Sequence, residues 1–296
     1  MTTIAAAPST APVLSAADHA FFEENGYVIV HDTVPPENLD ALIRTIWEFL
    51  GMDPNDPADW CRPPHRTSSM IEMYQHQALW DNRQHPRVHQ AFSEIHGTEK
   101  LWVSLDRASM KPPPHPDHPE YDHKGFTHWD TDTAKLPQPF GVQGVLYLTD
   151  TTEDMGGFQC IPGFHKNLEA WIETQPPDRN PSVPDLNRLP PGMKVTPIPG
   201  KAGDLVIWNK LLAHGNGHNV SPRPRLAQYI SMRPAPQTPL SEEAEARRQD
   251  RIRRWRDRLG PTGKAFPGDP RRVEELSGKT AELTPLGRKL LGLDLW

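Results

Sequence analysis

The 296-residue chain has only two cysteines, Cys61 and Cys160, no long apolar run and no dominant cluster of positive charge. Two cysteines exclude a disulfide framework and a paired-cysteine metal site. The net charge of −6 argues against a nucleic-acid or anionic-membrane surface. No segment approaches the roughly 18 apolar residues of a membrane span, and the first residues lack the positive start of a signal peptide. The sequence therefore predicts a cytoplasmic protein without nucleic-acid or membrane partners.

Proline, in contrast, is abundant: the chain has 34 prolines, about twice the average share. This predicts a loop-rich chain and favours a β architecture over a helical bundle. Between about residues 98 and 235, short β-branched or aromatic runs alternate with Gly, Pro, Asp and Asn, which is typical of an antiparallel sandwich or small barrel.

Changes in residue composition divide the chain into three parts. Residues 1–14 are predicted to be a disordered tail, 15–235 a single domain and 236–296 a helical extension. The domain opens with a helix capped by Ser15, a strand "YVIV" and a second helix with apolar residues at helical spacing.

Two further segments raise structural questions. The proline-rich stretch 166–193 is predicted to be a surface excursion and a candidate lid. In the extension, glutamates come early and arginines late in a predicted helix, an order that the helix dipole favours. The arginine run is predicted to be a solvated helix face. A last short helix should follow Thr284.

The segment "GFTHWDTDTAK" places His128 and Asp130 two residues apart. On a strand these side chains point to one face, about 6.6 Å apart, and can reach one ion. Two histidines and one carboxylate with open positions suit Fe(II). The pair alone is equally compatible with two ordinary polar residues on a strand. A second such pair, His115 and Asp117, is flanked by prolines and is predicted to lie in an irregular loop.

The segment "GDLVIWNKLLAHGNGHN" offers a third ligand. His214 ends an apolar stretch and is followed at once by glycine, which allows close backbone approach; His218, deeper in the turn, is the alternative. Arg225 opens the next strand eleven residues later. It is either a charge at a strand end or a buried group that needs an anionic partner such as a dicarboxylate.

The order of these motifs, together with "KPP", "GGFQCIPGFH" and "HGNG", resembles the phytanoyl-CoA dioxygenase family over roughly residues 18–235. The resemblance implies a mainly β chain with a double-stranded β-helix, a jelly-roll or cupin-like barrel, and flanking helices at both ends. It implies three iron ligands, His128, Asp130 and His214, and Arg225 as the partner of the distal carboxylate of 2-oxoglutarate.

Other positions carry weaker expectations. Asn216 stands where the family often has a small hydroxyl residue, and Gln143 and Trp208 are candidates for the cosubstrate pocket. Arg107 and Lys111 are candidates for substrate binding, although ordinary loop or core roles are also open for them. The resemblance assigns no role to the extension 236–296.

The implied reaction uses Fe(II), 2-oxoglutarate and O2 to hydroxylate a small molecule, with release of succinate and CO2. Related halogenases lack the carboxylate ligand, so Asp130 favours hydroxylation. Two alternatives remain at the level of sequence. A cupin-like isomerase or hydrolase would use the same ligands with zinc or manganese and would not need Arg225, and a non-catalytic binding protein would bind neither cofactor. The sequence specifies neither the substrate nor the oligomeric state.

Overall fold

The computed structural model describes residues 11–296. The helices in this range are α1 Ala16–Asn25, α2 Pro36–Leu50, α3 Gln77–Arg83, α4 Pro86–His96, α5 Phe164–Glu173, α6 Glu242–Asp257, α7 Val273–Ser277 and α8 Pro285–Leu291. The strands are β1 Tyr27–Val30, β2 Leu101–Val103, β3 Ala108–Lys111, β4 Val142–Tyr147, β5 Phe158–Cys160, β6 Thr196–Pro197, β7 Leu205–Asn209, β8 His214–Asn216, β9 Arg225–Tyr229 and β10 Met232–Pro234. None of these helices combines the length and the apolar character that a bilayer crossing requires.

The predicted helix–strand–helix opening is confirmed. The Ser15 hydroxyl accepts a hydrogen bond from the backbone of Asp18, whose carboxylate accepts the Ser15 backbone N–H in return, and α1 ends at Gly26 in the left-handed conformation. Strand β1 then pairs antiparallel with β7. The opening segment therefore forms one edge of the main sheet.

The predicted disordered tail is too long at its carboxyl end. The backbone N–H groups of Val13 and Leu14 donate to the carboxylate of Glu94, and the Leu14 side chain is buried. These residues are held in place by the hydrogen bonds to the carboxylate and by the burial of the leucine side chain. The first ten residues of the predicted tail lie outside the described range.

Antiparallel sheets form the centre of the molecule, as expected. The main sheet has the order β1-β7-β4-β9-β3, a second sheet has the order β6-β5-β8, and β10 pairs with β2. Helix nevertheless exceeds strand, 31% against 16%, so a mainly β description does not fit. Long helices at both ends outweigh strands of only two to six residues.

The main sheet is buried on both faces, which alternate along each strand. On β7, Val206 and Trp208 belong to the core that also contains Phe158 of the second sheet. Leu205 and Ile207, between them, belong to the core built with the helices. Residues that share the parity of Val206 therefore face the interior between the sheets.

The extension packs against the domain through its arginines, so the prediction of a solvated arginine face is wrong for Arg251. Its guanidinium donates to the carbonyl oxygens of Leu290, Leu291 and Val103 at 2.7–3.0 Å. Burial lowers the pKa of Arg251 to about 9. The predicted last helix is confirmed as α8, capped by the Thr284 hydroxyl.

Candidate metal centre and cosubstrate pocket

Three side chains that were predicted as ligands meet between the two sheets. One ligand atom from each of His128, Asp130 and His214 lies within 4.8 Å of the others, and this is the one such group found among residues 11–296. His128 and His214 exchange both backbone hydrogen bonds, at 2.7 and 3.0 Å. The segment around His128 forms only this single bridge with β8, so the predicted strand is reduced to one paired residue.

A glycine makes this pairing possible. A Cβ atom at Gly215 would lie 1.8 Å from the carbonyl oxygen of Phe126, so only glycine allows the two segments to approach. The Nδ1 atom of His214 lies 2.9 Å from the carbonyl oxygen of Leu212. That contact favours the proton on Nδ1 and leaves the lone pair of Nε2 on the side of Asp130.

Gln143, on β4, lines the same cavity. Its side-chain N–H donates to Oδ2 of Asp130 at 2.6 Å, while His128 and His214 approach the two carboxylate oxygens at 3.2 and 3.6 Å. Desolvation opposes ionisation of Asp130, but the hydrogen bonds from His128, His214 and Gln143 outweigh it, so the pKa of Asp130 lies well below its usual range. The carboxylate is ready to bind a cation at neutral pH.

Two buried cations lie side by side at one end of the cavity. Arg225 on β9 pairs in register with Lys111 on β3, and both side chains are almost fully buried. Within the described chain, Nε and Nη2 of Arg225 have no hydrogen-bond partner. Burial, followed by the charge of Arg225, lowers the pKa of Lys111 to about 7. Buried cations without an anion are costly, so this arrangement calls for a negatively charged ligand.

Trp208 and Asn216 also reach this cavity, whose volume is ≈ 570 Å³. The Trp208 ring lies 4.9 Å from the His214 ring, and its buried Nε1 has no partner among residues 11–296. Asn216 instead donates to the hydroxyl of Tyr229 at 2.8 Å. The pocket thus offers at least three free N–H donors close to the three candidate ligands.

These residues fit the cofactors that the sequence implies. Two imidazoles and one carboxylate form a donor set suited to Fe(II). The unpartnered Arg225 fork, with Lys111 beside it, matches a carboxylate that belongs to a bound molecule.

Arg107 reaches the cavity wall with two of its three guanidinium nitrogens already bonded, and only Nε lacks a partner among the described residues. Its Nη1 donates to Glu72 and to the Tyr74 hydroxyl at 2.8 and 2.9 Å, and Nη2 donates to the carbonyl oxygen of Ala265 at 2.6 Å. Ala265 and its neighbour Phe266 line the cavity, although sequence reasoning assigned no role to the extension. No local motif marks the bond between Arg107 and Ala265, which joins positions 158 residues apart.

Two other candidates lie apart from the three ligands. His218, the rival of His214, is bonded to Asp122 at 2.6 Å. The excursion 166–193 contains most of α5, and Arg179 of this stretch bonds to Thr133 just after the candidate ligands. None of its residues is among those that line the cavity, so in this conformation it supports the ligand segment from outside.

Comparison with known proteins agrees with this geometry. The chain is 25% identical to the ectoine dioxygenase of Bordetella bronchiseptica over 236 residues, which cover 74% of this chain and 75% of that one. Its fold is similar to the epimerase SnoN, solved with Fe3+ and alpha ketoglutarate, at 16% identity and a TM-score of 0.52, covering 74% and 83% of the two chains. A hypothetical protein from Escherichia coli matches 94% of this chain and 82% of its own at 16% identity, with a TM-score of 0.68.

The fold and the pocket together define a non-haem iron- and 2-oxoglutarate-dependent dioxygenase. The family model for phytanoyl-CoA dioxygenase matches residues 22–227, and the chain belongs to this family. The match ends before the extension. The Escherichia coli structure covers more of the chain than the family match does, so a fold of this larger extent recurs beyond this protein.

Proposed function

We propose that the chain oxidises a small molecule, by hydroxylation, at an Fe(II) ion held by His128, Asp130 and His214. Arg225 binds the distal carboxylate of 2-oxoglutarate in this proposal. The two facing antiparallel sheets, with the ligands between them, support a double-stranded β-helix as the framework. The small-molecule substrates named for relatives, such as ectoine, support a substrate of similar size.

The proposal rests on one observation, the environment of the Arg225 side chain. The side chain is 1% exposed, two of its nitrogen atoms have no partner among the described residues, and its neighbour in register is another cation. A structural arginine would be paired with a carboxylate of the chain. A cupin-like isomerase or hydrolase would not need Arg225, and it would not explain why Lys111 lies buried next to it.

The side chains around the metal position prepare the site before substrate arrives. Gln143 fixes the orientation of the Asp130 carboxylate, and Leu212 fixes the proton of His214 on Nδ1. Asn216 and Tyr229, which both line the cavity, are bonded to each other. When bound, iron with 2-oxoglutarate and O2 supplies the oxidising power to attack a C–H bond, and succinate and CO2 are formed.

Asp130 and Asp132 form a matched pair for the test. Asp130 faces the two histidines, whereas Asp132 lies two residues further on and accepts a backbone hydrogen bond from Ala134 in a turn. We expect Asp130→Asn to lose Fe(II) in competition with a chelator and to form no succinate from 2-oxoglutarate. Asp132→Asn should behave as the wild type.

Succinate formation by Asp130→Asn at the wild-type rate would overturn the ligand assignment. Turnover of a substrate with zinc or manganese, in the absence of 2-oxoglutarate, would favour the isomerase or hydrolase instead.

A further inference from the structure

The cavity has two chemically different ends along the β3–β9 ladder. Lys111 pairs with Arg225 at one end, and Ala108 pairs with Gln228 near the other. Asp106 and Arg107 precede β3, so Asp106 lies five residues from Lys111, or about 16 Å along an extended chain. Gln143 lies on β4, and its amide donates to Asp130. Val145 on the same strand pairs with Tyr229 of β9 at that second end. Gln143 precedes Val145 by two residues, so Asp130 is held near the Asp106 end of the ladder and away from Arg225.

The extension closes the Asp106 end. Phe266 and Ala265 line the cavity there together with Met70, Asp106 and Arg107. A tight turn brings them in, because the Phe266 N–H bonds to the carbonyl oxygen of Gly263 at 2.9 Å. These residues follow the last position of the family match, so this wall is an addition to the family core.

Arg107 holds that wall in place. Besides its bond to Ala265, its guanidinium lies 4.5 Å from the centre of the Phe266 ring. Glu72, which pairs with Arg107 at 2.8 Å, also accepts the backbone N–H of Gly268 at 3.1 Å. Arg107 is thus a positioning residue for the extension, and its charge is balanced by Glu72.

Asp106 is the group that remains available. One of its carboxylate oxygens accepts the backbone N–H of Arg107 at 2.9 Å, and the nearest guanidinium nitrogen is 4.0 Å away. No hydrogen bond from the described residues reaches its other oxygen, and the side chain is 31% exposed. Burial raises the pKa of Asp106, although the backbone N–H of Arg107 and the charges of Arg107 and Arg83 act in the opposite direction.

We propose that Asp106, Phe266 and Ala265 form the substrate-binding end of the cavity and that the substrate carries an amine next to an apolar body. The ammonium group would donate to the free oxygen of Asp106. The apolar part would pack against Phe266, which lines the cavity beside Asp106. This inference rests on the proposed function, since it places the substrate in the cavity that holds the candidate ligands, at the end of the β3–β9 ladder opposite Arg225.

The test uses full-length protein loaded anaerobically with Fe(II) and 2-oxoglutarate, after binding of both has been measured. Three carbon skeletons serve as probes, benzyl, cyclohexylmethyl and n-butyl, each as the amine, the alcohol and the carboxylate. Calorimetric titration should show saturable binding of at least one amine that exceeds its alcohol and carboxylate counterparts. Asp106→Asn should weaken that binding about tenfold or more, because a charge-assisted hydrogen bond is lost.

Variants in the extension distinguish a direct effect of the cavity wall on amine binding from an indirect effect through general stability. Phe266→Ala should weaken binding of the amine, whereas Leu276→Ala, at an exposed position on α7, should not. Both variants and Asp106→Asn should bind 2-oxoglutarate as the wild type does.

The possible failures are distinguishable. Wild-type protein that binds no 2-oxoglutarate contradicts the proposed function. Normal 2-oxoglutarate binding with no preference for any amine, or with equal affinity in Asp106→Asn, overturns the assignment of the substrate end alone.

Discussion

Replacing Arg225 by methionine separates the effect of cosubstrate binding from that of folding. In the wild type, two unpartnered donors of a buried guanidinium await a carboxylate. Two charge-assisted hydrogen bonds of about 1.5–3 kcal/mol each give a total of about 3–6 kcal/mol. Since about 1.4 kcal/mol corresponds to a factor of ten, we expect the variant to bind 2-oxoglutarate roughly a hundredfold to ten-thousandfold more weakly.

Thermal denaturation gives a direct assay. At a concentration of about 100 times its Kd, 2-oxoglutarate should stabilise the wild-type protein by about 2.7 kcal/mol, which raises Tm by about 5 °C or more in a domain of this size. At the same concentration, Arg225→Met should gain at most about 0.4 kcal/mol, a shift of about 1 °C or less. Without 2-oxoglutarate the variant should be no less stable than the wild type, because a buried charge next to Lys111 has been removed.

Arg223 provides the matched control, because it lies exposed two residues before Arg225. Arg223→Met should retain the full shift in Tm. 2-Oxobutyrate, which lacks the distal carboxylate, should bind the wild type and Arg225→Met equally weakly. A wild-type affinity of Arg225→Met for 2-oxoglutarate would refute the role of the guanidinium.

Three further predictions concern the ligands and the extension. Gly215→Ala should cost about 3 kcal/mol or more of stability, or abolish metal binding, because its Cβ would collide with the carbonyl of Phe126. Gln143→Met should weaken Fe(II) binding in chelator competition by about 10- to 100-fold, since Asp130 loses its orienting bond. Burial raises the pKa of Glu274 to about 7, so the native state takes up protons that the unfolded state releases, and its stability falls as pH rises from about 4.3 to 7. Glu274→Gln should remove this part of the pH dependence in denaturation curves.

Each of these has its own check. Gly141→Ala should be nearly neutral, because its Cβ would meet only the flexible side chain of Lys210. Wild-type stability and metal binding in Gly215→Ala would contradict the close approach. Unchanged Fe(II) affinity in Gln143→Met would show that Asp130 needs no support. The advantage of the wild type over Glu274→Gln should be greater at about pH 5 than at about pH 8, and the opposite order would contradict the raised pKa.

The candidate ligands were predictable because several short motifs occur in a characteristic order along the chain. Spacing alone left the pair His128 and Asp130 ambiguous and His218 open as a rival of His214, and the order of the motifs along the chain, through the family resemblance, selected the three residues. The place of Arg225 at the start of an apolar run left open whether it is a strand-end charge or a buried cation, and the structure buries it. The opening helices were predictable because capping residues and apolar spacing act within one or two turns.

The substrate side of the cavity was not predictable, because long-range contacts build it. The bond between Arg107 and Ala265 spans 158 positions, and the ion pair with Glu72 spans 35. The prediction of a solvated arginine face was wrong for Arg251 for a related reason. A guanidinium that caps carbonyl oxygens of a distant helix, as Arg251 does, has the same local sequence as one that faces water.

The most direct test of the central claim is an anaerobic titration of metal-free protein with Fe(II) and 2-oxoglutarate, followed by visible absorption. A charge-transfer band that requires both components, and that fails to form with Arg225→Met at the same 2-oxoglutarate concentration, is the predicted result. Folded wild-type protein that gives no band with both components would contradict the assignment of His128, Asp130, His214 and Arg225 to one iron and 2-oxoglutarate site.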